Sequence, residues 1–140
     1  MRRVAIVVAV VAAVGAAGCA STTVPAAAAT PQIVTLGAAE SGATIAIATS
    51  QRVVVRLPGN PSTGYRWSLV ESAGGVLASD GAPSFEPVQA AAQRPGAGGT
   101  EVWRFTPMRA GEQVLRFEYS RPWEQGTPPA EVVTFTVTVR

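Results

Sequence analysis

From Gln32 to the C-terminus, apolar and polar residues alternate in short runs. Thr44-Ile45-Ala46-Ile47-Ala48 alternates, and Arg52 to Leu57 is a β-branched run closed by Pro58-Gly59. Tyr65 to Val70 and Glu101 to Thr106 alternate bulky and polar side chains. Gln113 to Tyr119 sets Leu115, Phe117 and Tyr119 on one face and Val114 and Arg116 on the other. In Glu131 to Arg140, Val133, Phe135, Val137 and Val139 share a face opposite Thr134, Thr136 and Thr138. A period of two bounded by turn residues predicts strands. With Ile33 to Leu36 added, the chain reads as all-β, an immunoglobulin-like β-sandwich of about seven strands. Ala73 to Ala92 is broken by Gly74-Gly75 and Gly81-Ala82-Pro83; within it, Ser84 to Pro87 is a candidate edge strand. No long helix and no internal repeat is expected.

The N-terminal segment has a different pattern. Met1-Arg2-Arg3 precedes an apolar run from Val4 to Val14, then Gly15-Ala16-Ala17-Gly18 and Cys19. The run is shorter than the ~20 residues of a membrane-spanning helix and matches a secretory signal peptide, residues 1–18. Ala16-Ala17-Gly18-Cys19 resembles the bacterial lipobox, in which the cysteine thiol is diacylglycerated and becomes the first mature residue. Cys19 is thus the candidate lipidation site, residues 19–31 a lipidated tether rich in Ala, Thr, Ser and Pro, and residues 32–140 the folded domain. The expected location is the cell envelope, as an exported lipoprotein anchored to the membrane.

Composition then removes function classes. The 140 residues suit one domain, and the 14 Gly and 11 Pro fit a turn-rich fold. All 11 basic residues are Arg; without Arg2 and Arg3, nine remain against nine acidic residues, so the mature domain is near neutral. A nucleic-acid footprint is therefore absent. There is no His, and Cys19 is the one cysteine. This excludes an intrachain disulfide, Ser-His-Asp and Cys-His catalysis and most zinc sites. One Asp and eight Glu, scattered through strands and loops, leave a carboxylate pair as the enzymatic arrangement still open. No catalytic residue, metal site or cofactor is expected, and the domain is expected to be a monomer.

Candidate function lies in three segments where the strand pattern breaks. Asn60-Pro61-Ser62-Thr63-Gly64-Tyr65 combines a turn-starting Asn-Pro, two hydroxyls and a Gly suited to positive φ. This suits an ordinary hairpin loop, and equally a stiff tip that loses little entropy on binding. Gly96-Ala97-Gly98-Gly99-Thr100 is either a flexible loop or a backbone that a partner approaches closely; phosphate binding would need a following helix and a Lys. Arg121-Pro122-Trp123 carries the two residue types most enriched at interface hot spots, although a loop Trp can also fold back onto its own core. Trp67 and Trp103, inside alternating strands, read as packing residues.

Together, in this order, the three segments resemble the loops of chagasin-type inhibitors of papain-like cysteine peptidases. Asn60 to Tyr65 followed by Trp67 matches that family's Asn-Pro-Thr-Thr-Gly-aromatic loop. Gly96 to Thr100 followed by Trp103 matches its Gly-x-Gly-Gly loop, and Arg121-Pro122-Trp123 matches its Arg-Pro-Trp loop. The resemblance covers Gln32 to Arg140. It implies a sandwich with the three loops side by side at one end, occluding a peptidase cleft by contact and without chemistry. Pro61, Ser62, Thr63 and Gly64 would enter the cleft beside the catalytic cysteine. Gly96, Gly98, Gly99 and Thr100 would give backbone contacts on one side; Arg121, Pro122 and Trp123 would pack on the other, with Trp123 stacked on an aromatic of the enzyme rim. Asn60 and Tyr65 complete the binding set. Ser62 replaces the family's usual Thr, and one methyl lost in a tight cleft costs about 1 kcal/mol. A competing reading keeps the fold and drops the inhibition: a non-inhibitory envelope lipoprotein serving assembly or adhesion.

Overall fold

The computed structural model describes residues 30–89 and 96–140. The expected signal peptide, Cys19 and the expected tether up to residue 29 lie outside the described residues. Nine strands run β1 Ile33–Gly37, β2 Thr44–Ile47, β3 Arg52–Gly59, β4 Arg66–Ala73, β5 Leu77–Ser79, β6 Ser84–Pro87, β7 Gly99–Pro107, β8 Gly111–Ser120 and β9 Glu131–Val139. Among the described residues the helical structure is two single 3-10 turns, Ala38–Glu40 and Pro61–Thr63.

The strands form two sheets. One has the order β1-β3-β7, with β5 and β6 sharing the far edge of β7; the other has the order β2-β9-β8-β4. β1 lies parallel to β3 and β2 parallel to β9, so the N-terminal segment crosses from one sheet to the other through the turn at Ala38–Glu40. The remaining pairings are antiparallel.

The alternating positions make the core. Val53, Val55 and Leu57 of β3 and Phe105 of β7 face Leu115 and Phe117 of β8 and Val133, Phe135 and Val137 of β9, all buried. Phe117 is central, in edge-to-face contact with Trp103, Phe105 and Phe135 at centroid distances of 5.3, 6.4 and 6.3 Å. Such pairs add about 0.5–1.5 kcal/mol each beyond their buried area. With no disulfide available, this packing between the sheets holds the domain.

Among the described residues the count exceeds the expected number of about seven because residues 77–87 hold two short strands. Ser84–Pro87 is the edge strand that its sequence suggested, and Leu77–Ser79 is three residues long, too short to display a period. Gln113 lies on the core face of β8 and is 1% exposed. Its Oε1 accepts the backbone N–H groups of Val76 and Leu77, both at 2.7 Å, and its amide donates to Ser72 Oγ. A buried amide is tolerable when its partners are buried with it, and here it bolts the β4–β5 connection to the second sheet.

Candidate functional site

Strand register brings the three segments together. Gly59, the last residue of β3, pairs with Gly99, the first of β7, so the loop after β3 and the segment before β7 leave the sheet side by side. Arg66, the first residue of β4, pairs with Ser120, the last of β8, so the same loop also lies beside the segment that begins at Arg121. The Asn60 loop is therefore central, flanked by Gly96–Gly98 on one side and Arg121–Trp123 on the other.

Asn60 shapes the central loop. Its Oδ1 accepts Ser62 N–H at 3.1 Å and Ser62 Oγ–H at 2.6 Å, an Asx turn, while its Nδ2 donates to Gly96 O at 2.9 Å. Its carbonyl accepts Thr63 N–H at 3.1 Å and Thr63 Oγ–H at 2.7 Å, and its own N–H donates to the Tyr119 hydroxyl at 3.0 Å. Pro61 starts the 3-10 turn, where its missing N–H costs nothing, and Gly64 ends it at φ +81°. With Asn60 directed inward, Pro61, Ser62 and Thr63 form the exposed tip.

The Arg121 segment is tied to this tip from the other side. Arg121 Nε donates to Thr63 O at 3.2 Å, its guanidinium pairs with Glu124 at 2.9 Å, and its Cζ lies 4.5 Å from the Tyr65 ring centre. The hydrogen bond to Glu124 holds the Arg121 pKa above its ordinary value, so it is cationic at every working pH. Trp123 is 66% exposed, yet its indole edge rests on Gly64. A Cβ at Gly64 would fall on Trp123 Cη2 and within 2.7 Å of Cζ2. Trp123 thus neither folds into the core nor stands free.

On the glycine side the structure gives one residue a task within the sheet as well. Gly99 is buried and belongs to β7, paired with Gly59 on one side and Pro87 on the other, and Thr100 follows it in the strand. A Cβ at Gly99 would fall on Phe85 Cζ and 2.5 Å from Glu86 O. Glycine is therefore required there by β6. The outward part of this segment is Gly96 to Gly98, where Gly98 approaches Gly59 O closely enough that a Cβ would sit at 3.4 Å.

Two residues beneath the loops escaped the sequence reading. The Tyr119 ring stacks on Tyr65 at 5.2 Å and tilts against Trp67 at 5.0 Å. Trp67 itself is core, 3% exposed, with Nε1 donating to Pro58 O at 2.8 Å. Glu101, 8% exposed, accepts Trp67 N–H at 3.4 Å. Burial raises its pKa above the ordinary 4.5, against the smaller opposing effects of that hydrogen bond and of Arg66. It lines a cavity of about 170 Å³ between Pro61 and the start of β6, with Arg66, Trp67 and Phe85 among the walls. Among the described residues there is no cluster of acidic or sulfur ligands that could hold a metal.

A β-sandwich that binds three stiff loops into one edge, with an aromatic and a turn tip exposed on it, is built to dock against a protein. Comparison with known proteins identifies the class: the family model described as "Chagasin family peptidase inhibitor I42" matches residues 46–139. The chain belongs to this family, and so to the peptidase inhibitors rather than to the enzymes. It is 36% identical to chagasin of Trypanosoma cruzi over 90 residues, covering 61% of this chain and 78% of that protein. It is 29% identical to amoebiasin-2 of Entamoeba histolytica over 101 residues, covering 72% of this chain and 80% of that protein. Among solved structures, a cysteine protease inhibitor of Entamoeba histolytica superposes with a TM-score of 0.70 at 27% identity, over 78% of this chain and 96% of the other.

Proposed function

We propose that the chain is a reversible inhibitor of papain-like, cathepsin-type cysteine peptidases. The observation that carries this reading is the single docking edge, in which the central loop is hydrogen-bonded on one side from Asn60 to Gly96 and on the other from Arg121 to Thr63. Such a tip enters a cleft with its conformational entropy already spent, so more of the contact energy appears as affinity. Pro61, Ser62 and Thr63 occupy the cleft, with Gly64 turning the chain out again. Gly96 and Gly98 and the exposed face of Trp123, with Pro122, cover the two rims. Asn60, Tyr65 and Arg121 shape the edge. Inhibition is by occlusion: the edge carries no nucleophile or acid suited to the peptidase reaction. A complex of standard size buries roughly 1,600 Å² in all.

Ser62 fits this role. Its hydroxyl closes the Asx turn on Asn60, a task that needs the oxygen and not the methyl of a threonine, so the replacement costs contact area and leaves the loop shape intact.

Replacing Asn60–Gly64 and Arg121–Trp123 by Gly/Ser segments tests the assignment. An inhibitor loses peptidase binding and keeps its far-UV spectrum and cooperative unfolding; binding that survives both replacements places the interface elsewhere.

The same proposal includes export and lipid attachment at Cys19, supported by the Ala16-Ala17-Gly18-Cys19 sequence. Two or more acyl chains anchor stably where one is marginal. Mass spectrometry of the mature N-terminus tests it: a diacylglycerol-modified Cys19 is expected, and an unmodified or uncleaved N-terminus contradicts it.

A further inference from the structure

Tyr119 stands second from the end of β8, behind the docking edge, and is half-buried. Its hydroxyl accepts the Asn60 N–H at 3.0 Å, fixing the first residue of the central loop. Its ring supports Tyr65, the residue that follows Gly64, and Tyr65 in turn carries the Arg121 guanidinium. Its carbonyl accepts Ala130 N–H at 2.8 Å, closing the far end of the Arg121 segment. One side chain and its own carbonyl therefore hold both ends of the central loop and the closure of the neighbouring one.

We infer that Tyr119 is a positioning residue that sets the rate at which this inhibitor captures a peptidase, by holding the Asn60 loop in its docking shape from behind. The inference rests on the inhibitor reading. Its physical basis is population. When a loop samples other shapes, only the competent fraction binds, and apparent affinity falls by that fraction. If the shapes interconvert faster than encounters occur, the loss appears in association. A lost direct contact appears instead in dissociation.

Tyr119→Phe isolates the hydroxyl, since the ring remains to stack on Tyr65 and Trp67. In the free protein, amide hydrogen exchange at Asn60 and Thr63 should accelerate several-fold over wild type, while exchange in the centre of β9 changes far less. Against papain, the association rate constant should fall measurably, by at most about fivefold, the factor that one hydrogen bond of ordinary net strength represents, and the dissociation rate constant should change less than about twofold. Unaltered exchange at Asn60, or accelerated exchange with an unaltered association rate, overturns the inference. Faster dissociation with unchanged association also overturns it, because it makes Tyr119 a contact residue. Failure of the wild-type protein to inhibit papain strikes the inhibitor reading instead, and the exchange comparison still decides whether Tyr119 holds the loop.

Discussion

Gly64→Ala probes the junction between the central loop and Trp123. Gly64 has φ +81° and ψ −7°, a left-handed conformation that costs a residue with a side chain about 1–2 kcal/mol. The new methyl would also collide with the six-membered ring of Trp123. That ring is the far end of a side chain that is 66% exposed, so the indole swings away and the loop itself survives. Folding should therefore lose only the backbone strain, about 1–2 kcal/mol by urea denaturation. Binding should lose more than this local change suggests, because Trp123 no longer presents its face where the rim expects it. Removing the indole by Trp123→Ala should cost about 2 kcal/mol or more of affinity and, for an exposed side chain, less than about 0.5 kcal/mol of stability. Displacing it should cost nearly as much. The double variant decides the mechanism. Backbone strain is present in both free and bound protein and cancels from affinity, so Gly64→Ala should have almost no further effect once the indole is gone. A double-mutant cycle on inhibition constants should then show a coupling of about 2 kcal/mol, a 30-fold departure from additivity. Additive losses, or a Gly64→Ala variant that binds like wild type, would refute the contact between Gly64 and Trp123 as the source of the rim geometry.

Gln113→Leu should destabilise the fold by about 2–4 kcal/mol, because it leaves the Val76 and Leu77 N–H groups buried without an acceptor; a stability within 1 kcal/mol of wild type in urea, a bound set by the lower end of that same range, would show that those groups find another partner. Gly99→Ala should lower stability by about 2 kcal/mol or more, since the methyl meets the Glu86 backbone, which cannot swing aside; an unchanged melting temperature would show that β6 does not require glycine there. For Glu101, the raised pKa means that the native state holds this proton more tightly than the unfolded chain. The resulting stability is complete below the unfolded value and declines as pH rises through the native one. Glu101→Gln is neutral throughout and keeps an acceptor for Trp67 N–H, so its melting temperature relative to wild type should rise as the pH is raised past the ordinary 4.5; a pH-independent difference would show that Glu101 titrates as it does in the unfolded chain.

The long strands were legible because their periodicity is a local property. β8 and β9 alternate over residues 113–118 and 133–139, and the faces expected for Leu115, Phe117, Val133, Phe135 and Val137 are the faces that are buried. Leu77–Ser79 was not legible, since three residues hold too little pattern and its position is set by Gln113 from another strand. The three loops could be picked out by residue type, as Asn-Pro, Gly-rich and Arg-Pro-Trp segments each announce an irregular backbone. Their division of labour could not. Gly99 reads like the glycines before it, and only the neighbouring Phe85 and Glu86 show that it serves the sheet. Tyr119 and Glu101 read as ordinary strand residues, because what they do depends on Asn60 and Trp67, 59 and 34 positions away.

The central claim is that the edge formed by Asn60–Gly64 and its two neighbours blocks a papain-like cleft. Its most direct test is a titration of papain with the purified protein, following residual hydrolysis of a small fluorogenic substrate. The account predicts reversible, one-to-one loss of activity that is weakened in the Trp123→Ala variant. Full papain activity at micromolar protein, with the domain shown to be folded and a cathepsin equally unaffected, would contradict it and favour a non-inhibitory envelope module.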